Sequence, residues 1–188
     1  VPLRLRRRAY SRRDTNTRPL AGTLIPQIYV LLTKYSDWLS AVVCHVSGRG
    51  FTHSSISLDE DPDTYYSFNF RGFAVETAEK HRRRGVRDSR CIQLQISDAA
   101  YTRLRMRLLD MLAHRAEYHY TRLGVLFCIL RLPFRWKGHY FCSQFVAELL
   151  RDSGAVPLRR APCSYLPDQF AAELPDLPAC REVVDNVI

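Results

Sequence analysis

The 188-residue sequence contains very little lysine, although it is strongly basic. Lysine occurs only at Lys34, Lys80 and Lys137, so 25 of the 28 basic residues are arginine, and the formal net charge is +9. This charge favours loose contact with anionic partners such as nucleic acid, anionic lipid or cell-wall polymer. A solvated basic surface is the simpler interpretation of the same charge, so composition alone identifies no partner.

Long apolar segments are also missing from the sequence. The longest apolar run extends from Gly124 to Leu130, far short of the ~20 residues that a helix needs to span a bilayer. The first residues are rich in arginine and lack the apolar segment of a signal peptide. We therefore expect a soluble protein.

No Cys-x-x-Cys pair occurs among the six cysteines, which are Cys44, Cys91, Cys128, Cys142, Cys163 and Cys180. Zinc-ribbon and thioredoxin-type sites therefore have no support, and the histidines are too scattered for a metal site. We predict neither a metal nor a cofactor. Cys44, Cys91 and Cys128 lie in apolar stretches, which is typical of small buried side chains. Because a chain of this length does not need disulfides, we expect a reducing, cytoplasmic compartment.

The chain divides into a short arm and one domain. Residues 1–24 carry clusters of arginine and few large apolar residues, a pattern typical of a flexible basic arm. Residues 25–188 have the composition of a single folded domain, and their C-terminal tail contains several prolines and is expected to wrap around the surface.

The order of the predicted elements indicates the α+β class. Strands are predicted at residues 27–33, 52–58, 64–70 and 91–96, and helices at residues 121–130 and 142–153 and from residues 36 and 98 onward. Residues 76–90 are charged and predict a loop or a short exposed helix. Residues 121–130 are apolar almost all round, so this helix is predicted to be buried. The result is a small antiparallel sheet packed against helices.

A candidate nucleophile lies in the segment His139-Tyr140-Phe141-Cys142-Ser143-Gln144-Phe145, where an irregular stretch enters an apolar helix. The free amides and the dipole of a helix N-terminus favour a thiolate at Cys142. The same amides can stabilise the oxyanion of a tetrahedral intermediate, and a nearby base would complete the site. Taken alone, the segment is better interpreted as a buried structural cysteine.

A candidate base lies in the segment Phe51-Thr52-His53-Ser54-Ser55-Ile56-Ser57-Leu58. His53 begins a predicted strand and shares one of its faces with Ser55 and Ser57. A rigid strand is a good position for a general base. Taken alone, a strand histidine is more often a polar surface residue.

The third polar group, which would orient the imidazole, is expected on the returning strand. In a hairpin that turns near Asp61, Ser67 falls roughly opposite Ser55, and Asn69 falls roughly opposite His53. Ser67 is our first candidate and Asn69 the second. No acidic residue of this strand is equally well placed, so the third role stays open.

Five segments together resemble a known family: THSSISLD, YYSFNF, YHYTRLG, YFCSQFVAELLRDSG and the proline-containing tail. They are similar to the circularly permuted papain-like amidases, the NlpC-like branch that includes YiiX-like proteins and lecithin–retinol acyltransferase. The resemblance covers about residues 26–170. In this branch the histidine strand precedes the cysteine helix, as His53 precedes Cys142, whereas ordinary papain-like enzymes have the cysteine first.

The resemblance implies a permuted papain-like fold and a cysteine-dependent hydrolase, amidase- or peptidase-like, or an acyltransferase. Cys142 would attack a carbonyl and form a thioester, and His53 would act as base and then as acid. Amides or esters of peptides, cell-wall peptides or lipids are the implied substrates. Tyr118 and Tyr120 fall in a matching segment and Ser143 follows the nucleophile, so we predict that they contact substrate; the alternative for the two tyrosines is a place in the core.

Two other interpretations remain open. Arginine clusters at residues 6–8, 12–13 and 82–84 would hold phosphates in a nucleic-acid-binding protein. No recognition-helix pattern, RNA-binding aromatic motif or zinc finger accompanies them, so we expect no obligate nucleic acid and only loose contact of the basic arm with an anionic polymer or membrane. A catalytically silent papain-like domain that binds a peptide or acyl group is the other alternative.

Overall fold

The computed structural model of the protein describes residues 25–35, 50–58, 61–86 and 88–188. The basic arm at residues 1–24, the helix predicted from residue 36 onward and Cys44 lie outside these ranges. Within them the protein is of the α+β class, as predicted, because helices pack against one antiparallel sheet.

Six strands form this sheet in the order β4-β3-β2-β1-β5-β8, and every neighbouring pair is antiparallel. The strands are β1 (Gln27–Lys34), β2 (His53–Leu58), β3 (Asp61–Asn69), β4 (Gly72–Thr77), β5 (Asp88–Gln95) and β8 (Cys180–Asp185). The short strands β6 (His119–Tyr120) and β7 (His139–Tyr140) pair in parallel as a separate ribbon.

The described helices are α1 (Ala78–Arg83), α2 (Asp98–Ala113), α3 (Arg122–Ile129), α4 (Cys142–Asp152) and α5 (Pro167–Glu173). Three single turns of 3₁₀ helix cover Arg115–Glu117, Pro162–Ser164 and Leu174–Asp176. Ser97 caps α2 by accepting a hydrogen bond from the Ala100 amide, as the sequence predicts for a serine before a helical stripe. In the described part of the chain, no helix combines the length and apolar character needed to cross a membrane.

The hydrophobic core lies between the sheet and helices α2 and α4. Alternate residues of the central strands, among them Val30, Ile56 and Ile92, are fully buried on one face of the sheet, as the period of two requires. Leu104 of α2 and Phe145 of α4 complete the same cluster. The strands that the sequence predicts at residues 27–33, 52–58, 64–70 and 91–96 are confirmed, with ends shifted by a few residues.

The prediction of a loop or short exposed helix at residues 76–90 is confirmed in its middle by α1, which is short and largely exposed. It is wrong at its ends, where residues 76–77 belong to β4 and residues 88–90 to β5. The β3–β4 hairpin turns at Phe70 and Arg71, and β4 ends in Thr77, which caps α1 by accepting from the Lys80 amide. Gly72 has φ +98°, and a side chain there would meet the Tyr118 carbonyl oxygen at 2.6 Å. The tight turn and this close approach explain why the chain returns as β4 directly after β3.

Two further expectations are wrong in the described structure. The C-terminal tail does not only wrap the surface, because Cys180–Asp185 pairs with β5 as an edge strand. Helix α3 is not buried all round: Val125 and Cys128 face the interior, whereas Leu126 and Leu130 are exposed.

Candidate active site

Helix α4 begins with Cys142, which is held from both sides. Before it, the β6–β7 ribbon fixes the chain through the bond from the Thr121 amide to the Tyr140 carbonyl, 3.0 Å long. After it, Phe145 packs its ring against Phe68 at a centroid distance of 5.1 Å. The helix ends at Gly154, whose φ of +72° is the conformation that favours glycine.

The structure brings Cys142 and His53 together, although 89 positions separate them in the sequence. His53 is the first residue of β2, and the thiol of Cys142 forms a hydrogen bond with its imidazole. Both side chains are almost fully buried. A nucleophile next to a base in a water-poor site is the arrangement that acyl transfer through a thiol requires.

The third member of the cluster is Glu76 on β4. Its Oε2 lies 2.9 Å from Nε2 of His53, and its side chain has no exposed surface. Because Nε2 faces Glu76, the other ring nitrogen of His53 is the one left for the thiol. The carboxylate therefore fixes the orientation of the ring and stabilises its positive charge.

Cys142 and His53 have pKa shifts in opposite directions. Burial alone lowers the pKa of His53, but the charge of Glu76 and the contact with Cys142 outweigh burial and raise this pKa to about 10. Burial alone raises the pKa of the Cys142 thiol, yet the hydrogen bond and charge of His53 lower it below its ordinary value. Both shifts favour a thiolate–imidazolium pair at neutral pH.

Two backbone amides add to the stabilisation of the thiolate. The amides of Ser54 and Ser143 donate to the sulfur of Cys142 and lower its pKa further. Phe141, the residue before the helix, makes no side-chain cap, so its side chain occupies none of the first amides of α4. Such amides are suited to an anion at this position, whether a thiolate or a developing oxyanion.

The carboxylate of Glu76 has several hydrogen-bond and ion-pair partners besides His53. Arg84 donates to its Oε1 at 3.0 Å and Asn69 donates to the same oxygen at 3.4 Å, while Nζ of Lys80 lies 3.8 Å away. Burial raises the pKa of this carboxyl, but His53, His81 and Lys80 together hold it well below its usual range. The buried carboxylate is therefore ionised and paired.

A second histidine, His81 of α1, lies behind Glu76. The hydroxyl of Tyr35 is 2.5 Å from Nδ1 of His81, and burial together with the charge of Glu76 raises the pKa of that hydroxyl. Tyr35 therefore stays protonated and donates to Nδ1. Because Nδ1 accepts this hydrogen bond, the ring N–H of His81 is at Nε2, which lies 3.8 Å from Oε2 of Glu76. Burial lowers the pKa of His81 to about 4, so this ring is neutral.

The two residues predicted as the third group have other partners. The hydroxyl of Ser67 donates to the carbonyl oxygen of Ser54 at 2.6 Å. Asn69 binds Glu76, and its Oδ1 accepts the amide of Arg71. In place of Ser67 or Asn69, a glutamate from the next strand contacts the imidazole, because the hairpin folds β4 back along β3.

The predicted substrate-contact residues are distributed around the site. Ser143 lies beside the nucleophile, but its hydroxyl is buried and donates to the Tyr165 carbonyl at 2.7 Å. The ring of Tyr118 packs 6.1 Å from that of Tyr140. The ring of Tyr120 packs 5.0 Å from that of Phe70. The two tyrosine rings thus take the aromatic packing role that the sequence left as an alternative.

Sequence reasoning missed Glu76, His81 and Tyr35. A signal for β4 was present, since Asn69-Phe70-Arg71-Gly72 has the asparagine and glycine typical of a tight turn. In a strand after that turn, Glu76 shares a face with Ala74 rather than with Phe73 and Val75. Nothing local distinguishes this glutamate from a solvated one.

A scan against models of known protein families finds no match for this chain. A search of curated proteins likewise finds no match. Within the described ranges, no group of three or more histidine, cysteine or acidic side chains is arranged to hold a metal ion.

Proposed function

We propose that the protein is a cysteine-dependent hydrolase, amidase- or peptidase-like, or an acyltransferase, in which Cys142, His53 and Glu76 act as nucleophile, base and orienting carboxylate. The observation that carries the proposal is the buried contact series from the Cys142 thiol through His53 to Glu76. A structural cysteine needs neither an imidazole nor a paired carboxylate at its sulfur.

The fold supports a more specific version of this proposal, a permuted papain-like domain. An antiparallel sheet carries the histidine at the start of β2, and the cysteine follows on a later helix, α4. This order of His53 before Cys142 is the one that the sequence resemblance implies for the permuted branch. Here the position of the orienting group is taken by Glu76.

The proposed reaction proceeds through a thioester. The thiolate sulfur of Cys142 attacks the carbonyl carbon of an amide or ester, and the carbonyl oxygen becomes an oxyanion near the first amides of α4. Collapse breaks the C–N or C–O bond while the imidazolium of His53 gives its proton to the leaving group. Water or another acceptor then attacks the thioester, loses a proton to His53, and releases the thiolate.

The test compares the pH dependence of iodoacetamide labelling at Cys142 and at Cys180, each located by mass spectrometry. Cys180 is the internal reference because burial raises the pKa of its thiol. We expect Cys142 to react well below the ~8.5 of a free thiol. His53→Ala should remove this shift and slow labelling at about pH 6 by about tenfold or more. A normal titration of Cys142 would indicate a structural cysteine.

Acyl transfer itself is tested with p-nitrophenyl acetate as the acyl donor. We expect a single acetyl group on Cys142, lost in Cys142→Ala and slowed in His53→Ala. A reactive Cys142 that never accepts an acyl group would instead favour a silent domain that only binds its ligand.

The nucleic-acid interpretation receives less support from the described residues. Arg82 and Arg83 both pair with Glu79, and Arg84 pairs with Glu76. Each arginine of this cluster thus has a carboxylate partner, so the cluster offers phosphates less charge than three unpaired arginines would.

A further inference from the structure

One face of α3 is apolar and exposed, and the proposed chemistry does not use it. Leu123, Leu126 and Leu130 are 51%, 50% and 56% exposed. Their spacing of three and four residues places them on the same side of the helix. The opposite side is buried, because Val125 and Cys128 pack against Phe141 and Leu166.

The segment after α3 and the β3–β4 turn carry further exposed apolar residues. Leu132 and Trp136 follow the helix and are about half exposed, as is Phe70 in the β3–β4 turn. The rings of Phe127 and Phe134 stack at 4.7 Å and hold the segment after α3 against the helix. Arg122 lies over the ring of Phe70 at 5.1 Å. The six exposed residues, which we term the α3 apolar surface, are Phe70, Leu123, Leu126, Leu130, Leu132 and Trp136.

The chain segment that carries most of this surface is basic. Arg122, Arg131, Arg135 and Lys137 lie on or beside α3, whereas residues 118–147 include no aspartate or glutamate. Arg135 donates to Glu148, and among the described residues no carboxylate pairs with Arg122, Arg131 or Lys137. An exposed apolar surface with unneutralised cations at its edge is complementary to an apolar layer covered by anions.

The helix that carries most of the α3 apolar surface also packs against the residue that precedes Cys142. A side chain at Gly124 would meet the ring of Phe141 at 3.1 Å, and Phe141 directly precedes Cys142. The inner face of α3 thus contacts the segment that enters α4. A ligand on the outer face would lie one helix thickness, about 10 Å, from that segment.

We propose that the α3 apolar surface is a docking site for an anionic lipid bilayer. Leucines would enter the interfacial layer, Trp136 would lie at headgroup depth, and the three unpaired cations, Arg122, Arg131 and Lys137, would contact anionic headgroups. A second copy of the chain fits this surface less well, because a two-fold contact would bring the same cations together. The proposal does not depend on the reactivity of Cys142.

The test is flotation of the full chain with vesicles of phosphatidylcholine alone or with about one-third phosphatidylglycerol. We expect binding to the anionic vesicles, and Leu126→Ser/Leu130→Ser should weaken it by about tenfold or more. Because both leucines are half exposed, this variant should keep its fold, which circular dichroism verifies. Met106→Ser/Leu109→Ser is the matched control, since these two residues are exposed on α2.

Charge is tested separately. Arg131→Gln/Lys137→Gln should weaken binding to anionic vesicles more than Arg82→Gln/Arg83→Gln, which removes the same charge from α1.

The depth of Trp136 is tested by fluorescence. In a Trp38→Phe variant, the emission of Trp136 should shift to shorter wavelength when anionic vesicles are added.

Equal vesicle binding by the wild type and the leucine variant would overturn the proposal. So would concentration-dependent self-association that the leucine variant abolishes while vesicles have no effect, since that result assigns the surface to a second copy. Capture by an acidic protein without vesicle binding would overturn it as well. Labelling of Cys142 is measured on the same samples, so failure here stays distinct from failure of the proposed catalysis.

Discussion

Cys128 and Cys142 lie on neighbouring helices and are equally buried, 6% and 8% exposed, yet their thiols differ in acidity. Cys128 is in the last turn of α3, where burial, followed by small contributions from Cys163 and Cys142, raises its pKa to about 12. Cys142 is the first residue of α4 and contacts His53, and its pKa is lowered. Burial is common to both cysteines. Position on the helix and a charged neighbour therefore decide which thiol is reactive.

The largest effect on the difference in acidity between Cys128 and Cys142 is expected from Glu76→Gln. Removing the carboxylate leaves the positive charge of His53 buried with a weaker partner, so the free energy of unfolding should fall by about 3 kcal/mol. The labelling profile of Cys142 should also move to higher pH, toward that of Cys128. Urea denaturation and labelling measure the two effects.

The matched control for Glu76→Gln is Glu79→Gln, three residues later on exposed α1. Among the described residues, its carboxylate pairs only with Arg82 and Arg83 at the surface, so neither stability nor labelling should change. A Glu76→Gln protein that kept the wild-type labelling profile would remove Glu76 from the proposed mechanism.

The next effect concerns acid stability. The pKa of Glu76 is depressed in the folded protein, so its contribution is complete above the unfolded pKa near 4.5 and is lost as the pH falls toward the folded pKa. Between about pH 5 and about pH 3, the wild type should therefore lose on the order of 2 kcal/mol more stability than Glu76→Gln. Parallel losses in urea denaturation at these pH values would contradict an ionised, paired Glu76.

A smaller effect is expected from Tyr35→Phe. The change removes the hydroxyl that donates to Nδ1 of His81 and leaves a buried acceptor unpaired, at a cost of about 1–2 kcal/mol. If His81 helps to position Glu76, the labelling profile of Cys142 should also shift, by less than in Glu76→Gln. Tyr29→Phe on β1, the strand just before Tyr35, is the control, and a stability loss with an unchanged profile would make the role of Tyr35 purely structural.

The sequence predicted the elements that local pattern determines. The short, apolar, β-rich run in Gln27–Lys34 predicts a strand, and the serine before α2 predicts a helix cap; both are confirmed. The placement of Cys142 at the start of α4 followed from the change to helical spacing after Phe141, and the burial of Cys128 from its apolar neighbours.

The features that sequence reasoning did not predict depend on contacts between segments that are distant in sequence. Glu76 is charged like its neighbours Glu79 and Lys80, and only the fold of the β3–β4 hairpin makes it a buried partner of His53. Helix α3 was expected to be buried because its residues are apolar. Whether an apolar residue is covered depends on what packs against each face, which the sequence of the helix does not contain.

The smallest effect is expected from Cys128→Ala, which removes the less acidic of the two thiols. Burial dominates the surroundings of the Cys128 thiol, with Arg160 as a weaker opposing charge, and the side chain fills space between α3 and the Phe141–Leu166 pair. Its removal should cost about 1 kcal/mol of stability through the small cavity it leaves. Labelling of Cys142 should change by less than about twofold, because His53, Glu76 and the α4 amides are unchanged.

In the wild type, Cys128 itself should label far more slowly than Cys142 at every pH up to about 9, since its thiolate is scarce throughout that range. If Cys128→Ala altered Cys142 as strongly as His53→Ala does, packing by α3 rather than the imidazole would control the thiol, and the distinction between the two cysteines would have to be assigned to burial after all.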